Sequence, residues 1–169
     1  MGKTLATMIT LTTYGTWLRG DRRGWVDRGI VLPPDPILEE ADRRRLEHEP
    51  WFFPRELRHR VGQAMGESYL ARTRGAIYAM TVCSWHAHIV VGPAAADMAV
   101  QAKCLKDAVR WELGVGRPIW GDGYDKRYCF DAASVLARVE YVQRHNIEDG
   151  LPPAPWDFIV PFVPPIPPR

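Results

Sequence analysis

The segment Ser84-Trp85-His86-Ala87-His88-Ile89-Val90-Val91 holds two histidines separated by one residue. Side chains alternate along a strand, so His86 and His88 share one face while Ala87, Ile89 and Val91 take the other. Two imidazoles side by side can bind one divalent metal ion; each can equally serve a local hydrogen bond. Cys83 extends the run to C-x-x-H-x-H, a pattern that invites zinc. Alternation carried back from His86 puts Cys83 on the opposite face, where only a bulge would bring it in, so a structural zinc site is not expected.

A second constellation lies in Glu140-Tyr141-Val142-Gln143-Arg144-His145-Asn146. On a helix, Tyr141 and His145 are four apart and share a face, while Gln143 points elsewhere. A tyrosine oxygen can attack phosphorus, and a nearby cation can polarise the scissile phosphate. His145 is available as a third ligand of the same metal. The plainer reading of Tyr141 is an ordinary half-buried helix tyrosine.

These residues need elements to hold them. Thr4 to Thr13 is rich in β-branched residues and predicts a first strand. Helical patterning runs from Ile37 to about His48, and again from the first-turn proline Pro54 to about Arg72. Ala76 to Ser84 and His86 to Val91 read as two strands, stopped by Gly92-Pro93. Asp97 caps a helix over Met98 to Leu113, closed by Gly114 and Gly116. Ile119-Trp120 and Lys126 to Phe130 are short strand material around the turn GDGYD, and Asp131 caps a last helix to about Asn146. The order βαββαβ plus a C-terminal helix predicts an α+β, ferredoxin-like antiparallel sheet with helices on one face. Residues 1–150 then form one domain with a helical insert at about 37–72. Residues 151–169, holding eight of the fifteen prolines, form an extended arm.

Composition narrows the partner. The 169 residues fit one globular domain that buries enough surface to fold without disulfides or a structural metal. The 22 basic residues are 18 Arg and 4 Lys, and with seven Trp and six Tyr they suit phosphates and bases; a genome rich in GC gives the same Arg bias. Tyr14 to Pro36 interleaves Arg19, Arg22, Arg23 and Arg28 with Trp17 and Trp25, which favours a binding loop. Lys126, Arg127, Arg138 and Arg144 offer a second path for DNA near the tyrosine. Charges between Arg43 and Arg60 read mainly as a solvated helix face. Three scattered cysteines form no C-x-x-C pair, and the first 17 residues lack the apolar run of a signal peptide. The uncharged stretch from Ala76 to Ala96 holds two His and a Gly-Pro turn, so it reads as strands rather than a membrane span. A cytoplasmic protein with no membrane partner is expected.

A strand with His-hydrophobic-His followed, 53 positions after His88, by Tyr141 on a helix with a polar residue one turn on resembles the single-tyrosine HUH transposases of small insertion sequences and their domesticated, REP-associated relatives. The resemblance spans roughly residues 4–150 and includes the TTYGTW loop and the stretch Ile119 to Arg127. It implies that His86, His88 and His145 hold a divalent metal, Mn2+ or Mg2+, and that Tyr141 is the nucleophile that breaks single-stranded or hairpin DNA. The chain departs from the family in carrying Ser84-Trp85 where Pro-Asn is frequent, in lacking a proline after His145-Asn146, and in having His145 where Gln or Asn is common. Three imidazoles tilt the site towards manganese, because magnesium prefers oxygen ligands.

The reading is a metal-dependent transposase that cleaves and rejoins single strands through a 5′-phosphotyrosine link, as a monomer or homodimer. Energy conserved in that link removes any need for ATP, and no G-x-x-x-x-G-K-[ST] loop is present. The alternatives are a non-catalytic single-stranded nucleic-acid-binding ferredoxin-like module and a metal-dependent phosphodiesterase that activates water.

Overall fold

Apolar and β-branched residues from Ala6 to Thr12 form strand β1, which is the third strand of the sheet although it comes first in the chain. In the computed structural model, which describes residues 3–165, the remaining elements are β2 (Trp25–Asp27), β3 (Ile30–Leu32), α1 (Pro36–Arg43), α2 (Arg55–Thr73), β4 (Ile77–Val82), β5 (His86–Val91), α3 (Met98–Leu113), β6 (Asp125–Cys129) and α4 (Ala132–Glu148). Four strands make one antiparallel sheet in the order β4-β5-β1-β6. With α2 and α3 as crossovers this is the βαββαβ ferredoxin-like plan, and α4 is the added helix.

Register decides what each face carries. Ile9, Leu11, Ala87, Ile89 and Val91 face α2 and α3 and build the larger core with Val61, Met65, Tyr69, Leu105 and Val109. Ala6, Met8, Ala79 and Val90 face the other way and pack against Val135 and Val142 of α4. The two crossover helices therefore share one face as expected, while α4 covers the second. His86 and His88 belong to the α4 face, because their strand neighbours Thr12 and Thr10 alternate with Leu11 and Ile9.

The long loop after β1 contains structure that composition concealed. β2 and β3 form a hairpin around Arg28-Gly29, both at positive φ (48° and 81°), as a two-residue primed turn requires. Arginine is rare at such a position, so the turn had no Asn-Gly signature to show it. Helix α1 stops at Arg43, short of His48; Asp35 caps it through the N–H groups of Ile37 and Leu38, but no residue of it is buried to sustain further turns.

Of the expected arm, residues 166–169 lie outside the described residues; 151–165 have neither helix nor strand of their own, yet they pack on α2. The Trp156 ring lies over Gly62 and the Phe158 ring over Gly66. A Cβ on Gly62 would fall 2.1 Å from Trp156 Cζ2, and one on Gly66 would fall 2.0 Å from Phe158 Cζ, so these glycines are the seats of the two rings. Ile159 bridges Ile77, and Val160 N–H donates to the Ile77 carbonyl at 3.0 Å. Among the described residues no helix is long and apolar enough to cross a membrane.

Candidate active site

Strand β5 lies between β4 and β1, so its histidines are enclosed by neighbours on both sides. His86 and His88 are 8% and 7% exposed, with ring centroids 4.7 Å apart. Thr10 sits opposite His88 in the β1 register, and its Oγ1 is 2.9 Å from His88 Nδ1.

The tyrosine helix is aimed at this pair by its own apolar stripe. Asp131 caps it at the Ser134 N–H, while Val135 and Val142 are buried on the sheet. Near its end the buried Asn146 donates through Nδ2 to the carbonyls of Met80 (2.9 Å) and Pro153 (3.0 Å). With those anchors fixed, Tyr141 and His145 project towards β5. The Tyr141 ring is 5.4 Å from His88 and 4.9 Å from His145; His145 is 5.4 Å from His88 and 5.6 Å from His86, centroid to centroid. Tyr141 is 39% exposed, so one edge of it is open to a substrate. All four residues singled out by spacing thus meet in one place within one chain.

Cys83 corrects the expectation drawn from strand alternation. It is not on the strand of His86 but across a two-residue turn from it, with Cys83 N–H donating to the His86 carbonyl at 2.8 Å. Residues directly opposite in an antiparallel pair share a face. Cys83 therefore reaches the site without a bulge: its Sγ, one nitrogen of His86 and one of His145 all lie within 4.8 Å of one another. His88 stands beside that set rather than in it.

Burial governs the charge of these groups. Desolvation first, then electrostatic interaction with His145 and Arg23, lowers the His86 pKa to about 4. Desolvation, then His86 and His145, lower that of His88 to about 3. Both rings are accordingly neutral near pH 7 and keep a nitrogen lone pair, the state a metal ligand needs. Burial also raises the Cys83 thiol. His86 Nδ1 and His145 Nε2 are buried and have no hydrogen-bond partner among the described residues. Orphaned imidazole nitrogens beside a thiol are the donor set of a divalent transition metal, so His86, His145 and Cys83 fit such an ion, with His88 next to them.

The Ser84-Trp85 turn supplies a wall. The Trp85 ring lies 4.2 Å from that of His86, and the Arg23 guanidinium lies against both Trp85 and Trp17, 4.5 and 4.6 Å from their centroids, which are themselves 5.7 Å apart. Arg23 also donates through Nε and Nη2 to the two carboxylate oxygens of the buried Asp21, and through Nη2 to the Thr16 carbonyl. Arg19 makes a two-pronged pair with Asp42. All four arginines of the loop are exposed, but Arg19 and Arg23 are engaged by acidic partners of their own chain. On β6, Arg127 lies on the face of the histidines, opposite Met8, and bonds weakly to Asp125 at 3.3 Å. Lys126 takes the other face, beside the rings of Tyr124 and Tyr128. Arg144 reaches Glu140 along α4 at 3.5 Å, and Arg138 is half-buried near Cys129. Sequence reasoning missed Thr10, Asp21 and Asn146; only the pairing of β1 with β5 and the docking of α4 reveal them.

The fold is a ferredoxin-like antiparallel sheet carrying α2 and α3 on one face and α4 on the other. It is similar to the structure of a REP-associated tyrosine transposase bound to a REP hairpin, with a TM-score of 0.52 and 13% identity over 94% of this chain and 78% of that one. No protein-family model and no curated protein matches the chain.

Proposed function

We propose that the protein is a tyrosine transposase, or a domesticated relative of one, that cleaves and rejoins single-stranded or hairpin DNA. The observation that carries this reading is the convergence of Tyr141 with His86, His88 and His145. A structural neighbour that is a tyrosine transposase bound to a hairpin supports it. Residues 1–150 act as the catalytic unit, with 151–169 as an appended arm.

In the reaction Tyr141 Oη forms a bond to phosphorus and the bond from phosphorus to the 3′ oxygen breaks. The phenol proton passes to water at the open edge of the ring, and the departing oxygen takes up a proton to become a 3′-hydroxyl. The 5′ side stays on Tyr141 as a phosphodiester, so a second 3′-hydroxyl can reverse the exchange without ATP. A divalent ion held by His86, His88 and His145 would draw charge from the scissile phosphate, manganese suiting three imidazoles better than magnesium. His88 and His145 flank the tyrosine and fix its approach, and Trp85 excludes water behind His86. In this reading the tyrosine acts beside the histidines of its own chain, in a monomer or a homodimer. Arg22, Arg28, Arg127, Arg138 and Arg144 line the outer path for phosphates.

Incubating the protein with end-labelled hairpin DNA and manganese, then separating products under denaturing conditions, tests this. A labelled protein band that is lost in Tyr141→Phe is the expected result. Binding without any such band would favour the non-catalytic module, and cleaved DNA without a band would favour a water-activating phosphodiesterase.

A further inference from the structure

We infer that Cys83 is a ligand of the metal site, joining His86 and His145, and that its thiolate turns the site's preference towards zinc-like ions and away from magnesium. The inference rests on the metal-dependent reading above and deepens it. Cys83 Sγ shares a 4.8 Å cluster with ligand nitrogens of both histidines, on one face of the β4–β5 hairpin. Donors around a tetrahedral zinc are roughly 3.5 Å apart, so modest rotations about the side-chain bonds close the cluster.

A second observation points to a ligand independently of the thiol. His86 is more than nine-tenths buried and its Nδ1 has no partner among the described residues; His145 Nε2 is likewise buried and unpartnered among them. Among the described residues the one hydrogen-bond contact of the Cys83 sulfur is a long one, 3.9 Å to Thr81 Oγ1, which lets it turn to an ion. Cys104 and Cys129 are buried elsewhere, Cys104 against Ser68 of α2 and Cys129 at the end of β6. Thiolate is a soft donor that magnesium does not use, whereas zinc and cobalt accept it alongside imidazole. When the ion binds, the sulfur–metal bond forms and the thiol proton leaves to solvent.

Cobalt titration of the full-length, metal-free, reduced protein reads this directly. Cobalt held by sulfur gives a thiolate-to-metal charge-transfer band in the near ultraviolet, in addition to its visible ligand-field bands. The parent should show both, Cys83→Ser only the visible bands, and Cys129→Ser both. Zinc affinity, measured by displacement of cobalt, should fall in Cys83→Ser by at least the roughly 10–100-fold that loss of a supporting partner costs at metal sites. Visible bands without the ultraviolet band in the parent, or an ultraviolet band that survives in Cys83→Ser, overturns the assignment and leaves the histidine site standing. Absence of all bands in the parent overturns the metal-dependent reading together with it.

Discussion

Thr10 Oγ1 and His88 Nδ1 are 2.9 Å apart across the β1–β5 ladder, and this contact selects which ring nitrogen of His88 is free. His88 can bind a metal through Nε2 only as the tautomer whose Nδ1–H donates to the threonine hydroxyl. Thr10→Val keeps the shape and removes the acceptor. Manganese affinity measured by calorimetry should drop by about 10–100-fold, and Thr10→Ser should restore it. Equal affinity in the valine variant would mean that His88 is held by packing alone or is not a ligand.

Neighbouring arginines should behave differently. Arg22→Ala removes an exposed cation that pairs with no acidic residue among the described residues, so the fold should keep its melting temperature. Its single-strand binding should lose roughly 0.7 from the slope of log affinity against log salt. Arg23→Ala strands the buried Asp21 carboxylate, whose side chain is 6% exposed, and uncovers the Trp17 and Trp85 rings on which the guanidinium lies. A loss of about 2 kcal/mol in urea unfolding is expected. Were Arg23→Ala to leave stability unchanged and flatten the salt slope instead, Arg23 would be a DNA contact.

Acid should weaken the metal-free protein before its carboxylates titrate. The folded pKa values of His86 and His88, about 4 and 3, lie below the ordinary 6.5 of the unfolded chain. Between those limits the unfolded state binds more protons, so stability is full above 6.5 and declines as pH falls. Each ring contributes at most about 1.4 kcal/mol per pH unit. Urea midpoints in EDTA between pH 7 and pH 4 should show the decline, and His88→Asn should make it shallower. An unaltered pH profile in that variant would show that the acid sensitivity has another source.

Gly62 and Gly66 should resist substitution although they lie within a helix, where alanine is ordinarily the better residue. The gain in helix propensity is about 1 kcal/mol, whereas overpacking costs about 1–3 kcal/mol. Gly62→Ala and Gly66→Ala should therefore lift the segment after Gly150 from α2. Faster limited proteolysis between residues 150 and 165 checks this. Unchanged cleavage would mean that the Trp156 and Phe158 rings move aside without leaving.

The sequence was most readable where one local rule decided the outcome. His86–Val91 and Met98–Leu113 have the bounds that alternation, helical spacing and the Asp97 cap predict. Tyr141 and His145 lie on one side of α4 because four residues nearly complete a turn. What escaped depended on two segments at once. Cys83 was placed by counting along a strand that in fact turns between it and His86, so the correct count runs across the hairpin. Thr10 becomes part of the site only through the register of β1 on β5. The β2–β3 hairpin was hidden by an arginine in a backbone conformation usually left to glycine or asparagine, and Arg19 and Arg23 found acidic partners that a loop composition cannot reveal.

The docked C-terminal segment also makes the sheet one-sided in how it can grow. On β4 the carbonyls of Ile77 and Met80 already accept from Val160 N–H and Asn146 Nδ2, so that margin offers an incomplete template to another strand. β6 forms the other margin and pairs with β1 alone. Copies that meet strand to strand along β6 would therefore close as a pair about a two-fold axis, each presenting a stoppered outer side, rather than continue into a fibre.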